Sequence, residues 1–600
     1  MPMMLIRPLL LLLLALLSAC AEPRPVGAPP KPSLDSTRRA AGGELVGFLN
    51  ESGGHSWLGI PYAAPPVGAL RWRAPQPAAG WDGVRSAVQA GSPCIQYGSP
   101  LGGVGAEGSK QGNEDCLYLN VYAPRLNPAE ATSERLPVIV WVHGGSNVIG
   151  HAAFYDGSAL AARQRAIVVM INYRLGPFGW FAIPGEPTAN FGNLDVLAAL
   201  RWVQANASAF GGDPGKVTVV GESAGATNTL ALLITPQARG LLQRAVVQSL
   251  GFGFGRRDVA EQAARLAITE LLVAQKRAPD AATAERLLAG MTNDDVGGFL
   301  RALDPWTVYA AFSKANVDED RLPTVIQDDV LIRDGDVPTL LADPGTHLDV
   351  PLVLGTNRDE PKIFMAFNPQ LTRQFAGLPV AIRDDDAYER EARYRALLWK
   401  ADGVDALAEA IAGKPGAVRN RAPVFTYRWD WDEQGRAYGL LNISRLIGAA
   451  HAMEIPFVFG HFDVGPQSDL LFNAENAAGR LALSDRMMAY WAEFARNGDP
   501  GTGGRDDLPR WQPWPSAAAP GPRLMIFDTE RDGGVRMQDE RVSRDLLLQT
   551  MQAERLTTDA RCEIFRATFR NRRDDWADLA WQRYADGRCR GERLLRRAGG

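Results

Sequence analysis

Short apolar runs alternate along the chain with longer stretches in which apolar residues recur at helical spacing. The runs are rich in Val, Ile and Leu and are bounded by glycine or polar residues, which is typical of buried strands. They cover residues 138–142, 167–172, 217–220, 245–248, 352–355 and 424–429, and helical stretches such as 194–210 lie between them. This alternation predicts an α/β fold with a mostly parallel central sheet and helices on both faces.

A Gly-x-Ser-x-Gly sequence lies between one of these strands and the next helical stretch. It consists of residues 221–225, and it follows the run 217–220 directly. In this context it predicts a nucleophile elbow, a sharp turn that presents the serine at the N-terminus of a helix. A side chain at Gly221 or Gly225 would collide with the turn, and the helix end favours negative charge. We therefore predict that Ser223 is the nucleophile of an acyl-transfer reaction.

A serine nucleophile needs a neighbouring base, usually a histidine that a carboxylate orients. Chains with a nucleophile elbow carry these groups in the order serine, acid, histidine. Of the six histidines, His347, His451 and His461 follow the serine. His451 lies in a small-residue loop, where a ring can approach a substrate closely. It is the predicted base, and the other two are interpreted as exposed or hydrogen-bonded histidines.

The acid is expected between the serine and His451, at the carboxyl end of a strand. The apolar run 352–355 leads into a turn that contains Asp359 and Glu360. Spacing alone leaves both carboxylates open. A solvated charged turn is the alternative interpretation, and it fits Asp359 better than Glu360.

The strand predicted at 138–142 runs into a glycine turn with the sequence His-Gly-Gly-Ser-Asn at 143–147. Glycines after a strand expose backbone N–H groups that can bind an oxyanion. The predicted donors are the N–H groups of Gly145, Ser146 and Ala224.

These motifs resemble those of the type-B carboxylesterases, the α/β-hydrolase family that also contains the cholinesterases. Further matching segments are 59–63, 114–120, 172–176 and 210–214, and the likeness covers about residues 42–565. The resemblance implies the α/β-hydrolase fold and a serine esterase that needs no metal or organic cofactor. It also implies Ser223, Glu360 and His451 as the catalytic triad, with Glu222 beside the site.

The chain departs from the family's usual pattern at two places. Ser146 and Asn147 stand where the family usually has a third glycine and an aromatic residue. The amide of Ser146 can still bind an oxyanion, but its side chain takes up room near the scissile carbonyl. Leu250 stands where a glycine is usual, in a segment expected near the acyl pocket.

A third difference concerns the early disulfide loop, which the resemblance places between Cys94 and Cys116. In cholinesterases this loop carries a tryptophan, and a quaternary ammonium group needs such an aromatic face. Here Tyr97 is the only aromatic residue between the two cysteines. We therefore expect neutral esters to be preferred over choline esters.

The N-terminus predicts export. Residues 1–19 contain one arginine and a leucine-rich core too short to cross a bilayer, which is typical of a signal peptide. The sequence Leu-Ser-Ala-Cys at 17–20 resembles the bacterial lipobox, so Cys20 is expected to carry a lipid. Ala21 favours the outer membrane of the cell envelope, and the proline-rich stretch within 20–41 is interpreted as a tether.

Lipidation of Cys20 would leave four of the five cysteines, an even number in an exported chain. With Cys94 and Cys116 paired by resemblance, elimination pairs Cys562 with Cys589. No paired Cys or His spacing indicates a zinc site.

We expect one catalytic domain at 42–560 although the chain has 600 residues, because the three triad positions must meet in one site. An arginine-rich extension follows at 561–600, and acidic residues interrupt it. The net charge of −4 gives no support for nucleic-acid binding. The alternatives are a non-catalytic binding or adhesion domain, which the filled triad positions disfavour, and an amidase or thioesterase of the same fold.

Overall fold

The computed structural model describes residues 29–589 apart from 100–101, 252, 318–323, 376, 414–421, 438–440, 466–467, 516–520 and 571–573. The predicted signal peptide and Cys20 lie outside the described residues. Within the described ranges, no helix is both long enough and apolar enough to span a membrane.

A central sheet of eleven strands organises the molecule. In chain order the strands are β1 (Phe48–Leu49), β2 (His55–Pro61), β3 (Tyr118–Ala123), β4 (Leu136–Val142), β5 (Ile167–Ile171), β6 (Gly212–Glu222), β7 (Arg244–Gln248), β8 (Leu352–Asn357), β9 (Val424–Trp429), β10 (Leu524–Phe527) and β11 (Arg536–Gln538). Their order across the sheet is β11-β10-β9-β8-β7-β6-β4-β5-β3-β2-β1. Strands β4 to β10 run parallel, and antiparallel strands lie at both edges, which confirms the predicted mostly parallel sheet.

All six predicted strands are present, as β4 to β9. Each is largely buried, because helices cover both faces of this part of the sheet, and its sequence is therefore a continuous apolar run. The antiparallel edge strands β2 and β3 were not predicted. Buried polar residues such as His55 and Asn120 interrupt their apolar pattern.

Helices cover both faces of the sheet. They are α1 (Pro128–Ser133), α2 (Ser158–Gln164), α3 (Gly176–Gly179), α4 (Phe191–Asn206), α5 (Ala224–Leu233), α6 (Arg257–Ala274), α7 (Ala281–Gly290), α8 (Asn293–Arg301), α9 (Pro305–Val317), α10 (Val337–Ala342), α11 (Lys362–Ala366), α12 (Asp385–Lys400), α13 (Ala406–Ala412), α14 (Ile443–Leu446), α15 (Ile455–Phe459), α16 (Ser468–Leu471), α17 (Ala477–Asn497), α18 (Arg544–Ala553), α19 (Thr558–Phe569) and α20 (Asp575–Arg583). The predicted helix at 194–210 corresponds to α4 and the 3₁₀ turn Ala207–Phe210 that follows it.

Smaller β-structures lie outside the central sheet. Arg38–Ala40, Gly43–Val46 and Val84–Ser86 form a three-stranded sheet, and the two-stranded pairs are Gln96–Tyr97 with Lys110–Gln111, Gly255–Arg256 with Ile326–Gln327, Thr372–Phe375 with Leu378–Ile382, and Arg436–Ala437 with Leu441–Asn442.

Strand β4 shows how the sheet separates two apolar cores. Val138 and Val140 face the core that contains residues of α4 and α5. Ile139 and Trp141 face the opposite core, which contains residues of α15 and α17. Because side chains alternate along a strand, a single buried segment supports both layers of helices.

Helices α18 to α20 pack beside α12 around a smaller apolar core that includes Leu547, Phe565 and Trp581. A disulfide between Cys562 and Cys589 lies in this region. The second disulfide joins Cys94 and Cys116, so both predicted pairs are present. The predicted division of the chain into a catalytic domain and a C-terminal extension stays a prediction.

A buried ion pair ties Arg174, in the loop that follows β5, to Asp195 on α4, and it provides a test of the packing. The carboxylate of Asp195 accepts hydrogen bonds from the backbone N–H of Arg174 at 3.0 Å and from its guanidinium Nε and Nη2 at 2.7 Å each. Asp195→Asn would leave the arginine charge buried without a carboxylate. We expect the free energy of unfolding, measured in urea, to fall by about 3–5 kcal/mol.

The matched control is Asp258→Asn, which removes one partner of the exposed pair of Arg256 and Asp258. Exposed ion pairs contribute little to the free energy of unfolding, so this variant should be as stable as the wild type. Equal destabilisation by the two substitutions would contradict this account of the core.

Candidate active site

Ser223 lies between β6 and α5 in a strained turn. Its φ of 57° and ψ of −122° place it in a region that non-glycine residues rarely adopt. A Cβ atom at Gly221 would lie 2.1 Å from the carbonyl oxygen of Gly225, and one at Gly225 would lie 2.0 Å from that of Val142. Both flanking positions therefore require glycine, as the sequence predicts for a nucleophile elbow.

The side chains of His451 and Glu360 meet beside this turn. Glu360 follows β8, and its Oε2 accepts a hydrogen bond from Nδ1 of His451 at 2.6 Å. Its other oxygen accepts hydrogen bonds from the hydroxyl of Thr356 at 2.9 Å and from the backbone N–H of Asn357 at 2.8 Å. Both side chains are buried. The carboxylate thus holds the imidazole through Nδ1, and Nε2 lies on the side of the ring away from Glu360.

Asp359, the alternative acid, has different partners. Its Oδ2 accepts hydrogen bonds from the guanidinium of Arg358 and from the backbone N–H of Ala449. Nζ of Lys362 lies 3.3 Å from Oδ1. Only 13% of the side chain is exposed, so its interpretation as a solvated turn residue is wrong. Between the two carboxylates that spacing left open, the geometry pairs Glu360 with His451.

The other two candidate histidines lie in different surroundings. Nδ1 of His347 lies 2.8 Å from the carbonyl oxygen of Asp343, which agrees with its interpretation as a hydrogen-bonded histidine. His461 lines the same cavity as Ser223 and His451, in the loop that follows α15. The sequence did not indicate that it would lie there.

Glu222 contributes a second carboxylate beside His451. Its Oε1 lies 3.1 Å from Nε2 of the imidazole, and its side chain is buried. Burial raises the pKa of Glu222 to about 8, and the charges of Glu454 and Glu360 add to this effect while His451 opposes it. Burial alone would lower the pKa of His451, but Glu222 and Glu360 outweigh it and raise that pKa to about 9. The pair therefore takes up a proton above the usual histidine range.

Glu454 is a buried residue of the site that sequence reasoning missed. Its carboxyl group accepts hydrogen bonds from the side-chain amides of Gln248 at 3.1 Å and Asn357 at 2.6 Å. The same amide of Asn357 donates to the carbonyl oxygen of Ala450 at 2.8 Å, which ties the end of β8 to the loop of the histidine. Burial and the charge of Glu360 raise the pKa of Glu454. The available signal in the sequence was the position of Glu454 as the one carboxylate in the apolar run that follows His451.

The residues predicted to supply the oxyanion donors lie in the glycine turn beside the serine and at the start of α5. The glycine turn lies against the serine, because a Cβ atom at Gly144 would lie 3.0 Å from Cβ of Ser223. Gly145 and Ser146 line the cavity that Ser223 also lines. Ala224 is the first residue of α5, where backbone N–H groups have no partner within the helix.

A mostly apolar cavity of about 300 Å³ opens over these residues. Aromatic side chains supply much of its wall, namely those of Phe154, Tyr155, Phe364, Phe459 and Phe472. The rings of Phe364 and Trp399 lie beside the imidazole of His451, with centroid distances of 5.4 and 5.0 Å. Sequence reasoning missed both, since they lie on α11 and α12 and no motif marks them. The arrangement can bind an uncharged, largely apolar molecule next to a serine and a carboxylate-held histidine.

Comparison with known proteins shows which family the chain belongs to. A model of the Carboxylesterase family matches residues 35–405 and 403–541. The para-nitrobenzyl esterase of Bacillus subtilis (strain 168) is 35% identical over 505 residues, which cover 80% of this chain and 92% of that protein. The cocaine esterase of Homo sapiens is 32% identical over 512 residues, which cover 78% and 84% of the two chains.

Solved structures give the same result. A thermophilic PNB esterase superposes with a TM-score of 0.65 at 30% identity, and the match covers 84% of this chain and 97% of that one. A carboxylesterase of Geobacillus stearothermophilus gives a TM-score of 0.63 at 26% identity, with 84% and 98% covered. The predicted α/β-hydrolase fold is confirmed. The chain therefore belongs to the carboxylesterase family and is a serine hydrolase that acts on small-molecule carboxylic esters.

Proposed function

We propose that the chain hydrolyses esters through an acyl-enzyme intermediate, with Ser223 as nucleophile, His451 as base and Glu360 as the group that orients the base. The observation that carries the proposal is the 2.6 Å hydrogen bond from Nδ1 of His451 to Glu360, in a cavity that Ser223 lines. A carboxylate at Nδ1 fixes the tautomer in which Nε2 accepts a proton, and it stabilises the imidazolium that forms.

The reaction proceeds in two halves. Ser223 Oγ attacks the ester carbonyl while its proton passes to Nε2 of His451, and the N–H groups of Gly145, Ser146 and Ala224 bind the oxyanion. The imidazolium then gives its proton to the leaving oxygen, and the alcohol departs. In the second half, His451 takes a proton from water, the hydroxide attacks the acyl carbon, and the acid leaves as Oγ recovers its proton.

The cavity favours small uncharged esters. Its wall is mostly apolar, and a volume of about 300 Å³ suits an ester with one aromatic or aliphatic group on either side of the carbonyl. A relative that is 35% identical is named for a para-nitrobenzyl ester, which is such a molecule.

We also propose that a lipid on Cys20 holds the enzyme at the bacterial cell envelope, with the outer membrane favoured. The lipobox-like sequence at 17–20 and the proline-rich stretch that follows support this location. The mass of the mature N-terminal peptide would reveal the lipid.

The first prediction from the proposed mechanism concerns the triad. Ser223→Ala and His451→Ala should lower kcat to a similar residual level, because members of a triad act as one unit. Glu360→Gln should lower kcat by about 10³–10⁴-fold, since the amide keeps the shape but loses the charge that orients and stabilises the imidazolium. Steady-state hydrolysis of para-nitrophenyl acetate measures these losses.

Asp359→Asn is the matched control for Glu360→Gln, because it neutralises the neighbouring carboxylate. It should retain most of the activity once circular dichroism has shown that the variant is folded. A larger loss from Asp359→Asn than from Glu360→Gln would mean that the acid is assigned wrongly.

The second prediction concerns pH. The neutral imidazole of His451 is the active form, so kcat/KM should fall as the pH drops through its raised pKa. Glu222→Gln removes a negative charge that raises this pKa. The acid limb of the pH profile should therefore move to lower pH, toward the ordinary histidine value of about 6.5.

Asp156→Asn removes a carboxylate that lines the same cavity and is not among the groups that set the pKa of His451. The acid limb of the kcat/KM profile of this variant should coincide with that of the wild type. If Glu222→Gln left the limb in place or moved it to higher pH, the proposed coupling of Glu222 with His451 would be wrong.

The third prediction is that neutral esters are better substrates than choline esters. The ring of Tyr97, the one aromatic residue of the disulfide loop, packs against Trp306 and Tyr309 at centroid distances of 5.5 and 5.1 Å. We expect a lower kcat/KM for butyrylcholine than for 3,3-dimethylbutyl butyrate, its neutral isostere.

A clear advantage for butyrylcholine would contradict this expectation. Trp399, which lies beside His451, would then be the aromatic face to examine, and Trp399→Leu should abolish the advantage.

A further inference from the structure

The proposed oxyanion donors come from two separate parts of the chain. Gly145 and Ser146 belong to the loop after β4, whereas Ala224 begins α5. Donors that stabilise one oxyanion must each lie about 3 Å from the same atom. The loop and the helix must therefore be held at a fixed separation.

Two asparagines link the loop directly to the helix. Nδ2 of Asn228 donates a hydrogen bond to Oδ1 of Asn147 at 2.9 Å, and both residues are at most 1% exposed. Asn147 directly follows Ser146 in the loop. Asn228 lies four residues after Ala224, on the same face of α5. The hydrogen bond thus joins the residue that follows Ser146 in the loop to a residue one turn along α5 from Ala224.

The backbone of the loop is strained and therefore depends on supporting contacts. Ser146 and Asn147 have φ angles of 53° and 60°, in the left-handed region that is unfavourable for residues with a side chain. Asparagine enters this region more readily than most residues. The carbonyl oxygen of Asn147 also accepts a hydrogen bond from the backbone N–H of Gly176 at 2.7 Å, so the loop is held through side chain and backbone.

A further pair of hydrogen bonds fixes the orientation of the helix amide. Oδ1 of Asn228 accepts a hydrogen bond from Nδ2 of Asn193 at 3.2 Å. Oδ1 of Asn193 in turn accepts one from Nε1 of Trp180 at 3.0 Å. Because the indole can only donate, the direction of donation along this buried chain is set, and Nδ2 of Asn228 is aimed at Asn147.

We propose that Asn147 and Asn228 are positioning residues that hold the N–H groups of Ser146 and Ala224 at the spacing an oxyanion requires. The proposal rests on the proposed function. Asn147 stands where the family usually has an aromatic residue, and its side-chain amide gives the loop a hydrogen bond to the helix.

The test measures binding of an aryl trifluoromethyl ketone, which forms a hemiketal oxyanion on the serine. Asn228→Ala and Asn147→Gly remove the link, and glycine also relieves the left-handed strain at 147. We expect each to weaken inhibition by about 10–100-fold and to lower kcat/KM of an ester by the same factor, mainly through kcat. The double variant should be little worse than either single variant, because both substitutions remove the same hydrogen bond between Asn147 and Asn228.

Asn476→Ala is the matched control. Asn476 is a buried asparagine whose Nδ2 donates to the carbonyl oxygens of Glu433 and Leu471, and it does not line the cavity. This variant should lower the thermal midpoint and leave ketone inhibition unchanged. Asn228→Ser provides a milder change at the helix position should the alanine variant fold poorly.

The proposal is overturned if the ketone inhibits the folded link variants as strongly as the wild type. It is also overturned if Asn476→Ala, at a similar loss of thermal midpoint, weakens ketone inhibition as much as the link variants do. Failure of the proposed function has a different signature, because the wild type would then resist the ketone or Ser223→Ala would remain active. That result would overturn both proposals, whereas normal inhibition of the wild type with unchanged link variants would overturn this one alone.

Discussion

The hydrogen bond between Glu360 and His451 joins two buried groups that are 91 residues apart in the sequence. It forms only if the carboxyl end of β8 and the loop before α15 meet at the same edge of the sheet. Asn357 and Glu454 support this meeting, because their hydrogen bonds connect the strand end to the loop. The contact between Glu360 and His451 therefore depends on the arrangement of the parallel strands.

Residues in strained backbone conformations lie around that contact. Ser223 is held at a positive φ between two glycines whose neighbours leave no room for a Cβ atom, and the glycine turn beside it continues through Ser146 and Asn147 at positive φ. Such conformations persist only where the surrounding structure fixes them. Here the close packing of β4, β6 and α5 fixes the elbow, and buried hydrogen bonds fix the turn.

The amino-acid sequence predicts the parallel strands and the elbow well, since both depend on local patterns: continuous apolar runs and two glycines at fixed spacing. The antiparallel strands β2 and β3 escape prediction because buried polar residues break their pattern. Phe364, Trp399 and Glu454 reach the site through the docking of helices, which no local spacing encodes. Asp359 and Glu360 are adjacent, so only the three-dimensional structure separates the carboxylate that meets His451 from the one that pairs with Arg358 and Lys362.

The proposed mechanism requires that Ser223 becomes covalently acylated with the help of His451. Reaction with a fluorophosphonate, followed by intact-mass measurement and peptide mapping, would detect this reactivity, since the reagent modifies a serine that an adjacent base activates. We predict one adduct per chain, located on Ser223, and no adduct in His451→Ala under the same conditions. An adduct on another residue, or an unmodified wild-type chain, would contradict the account.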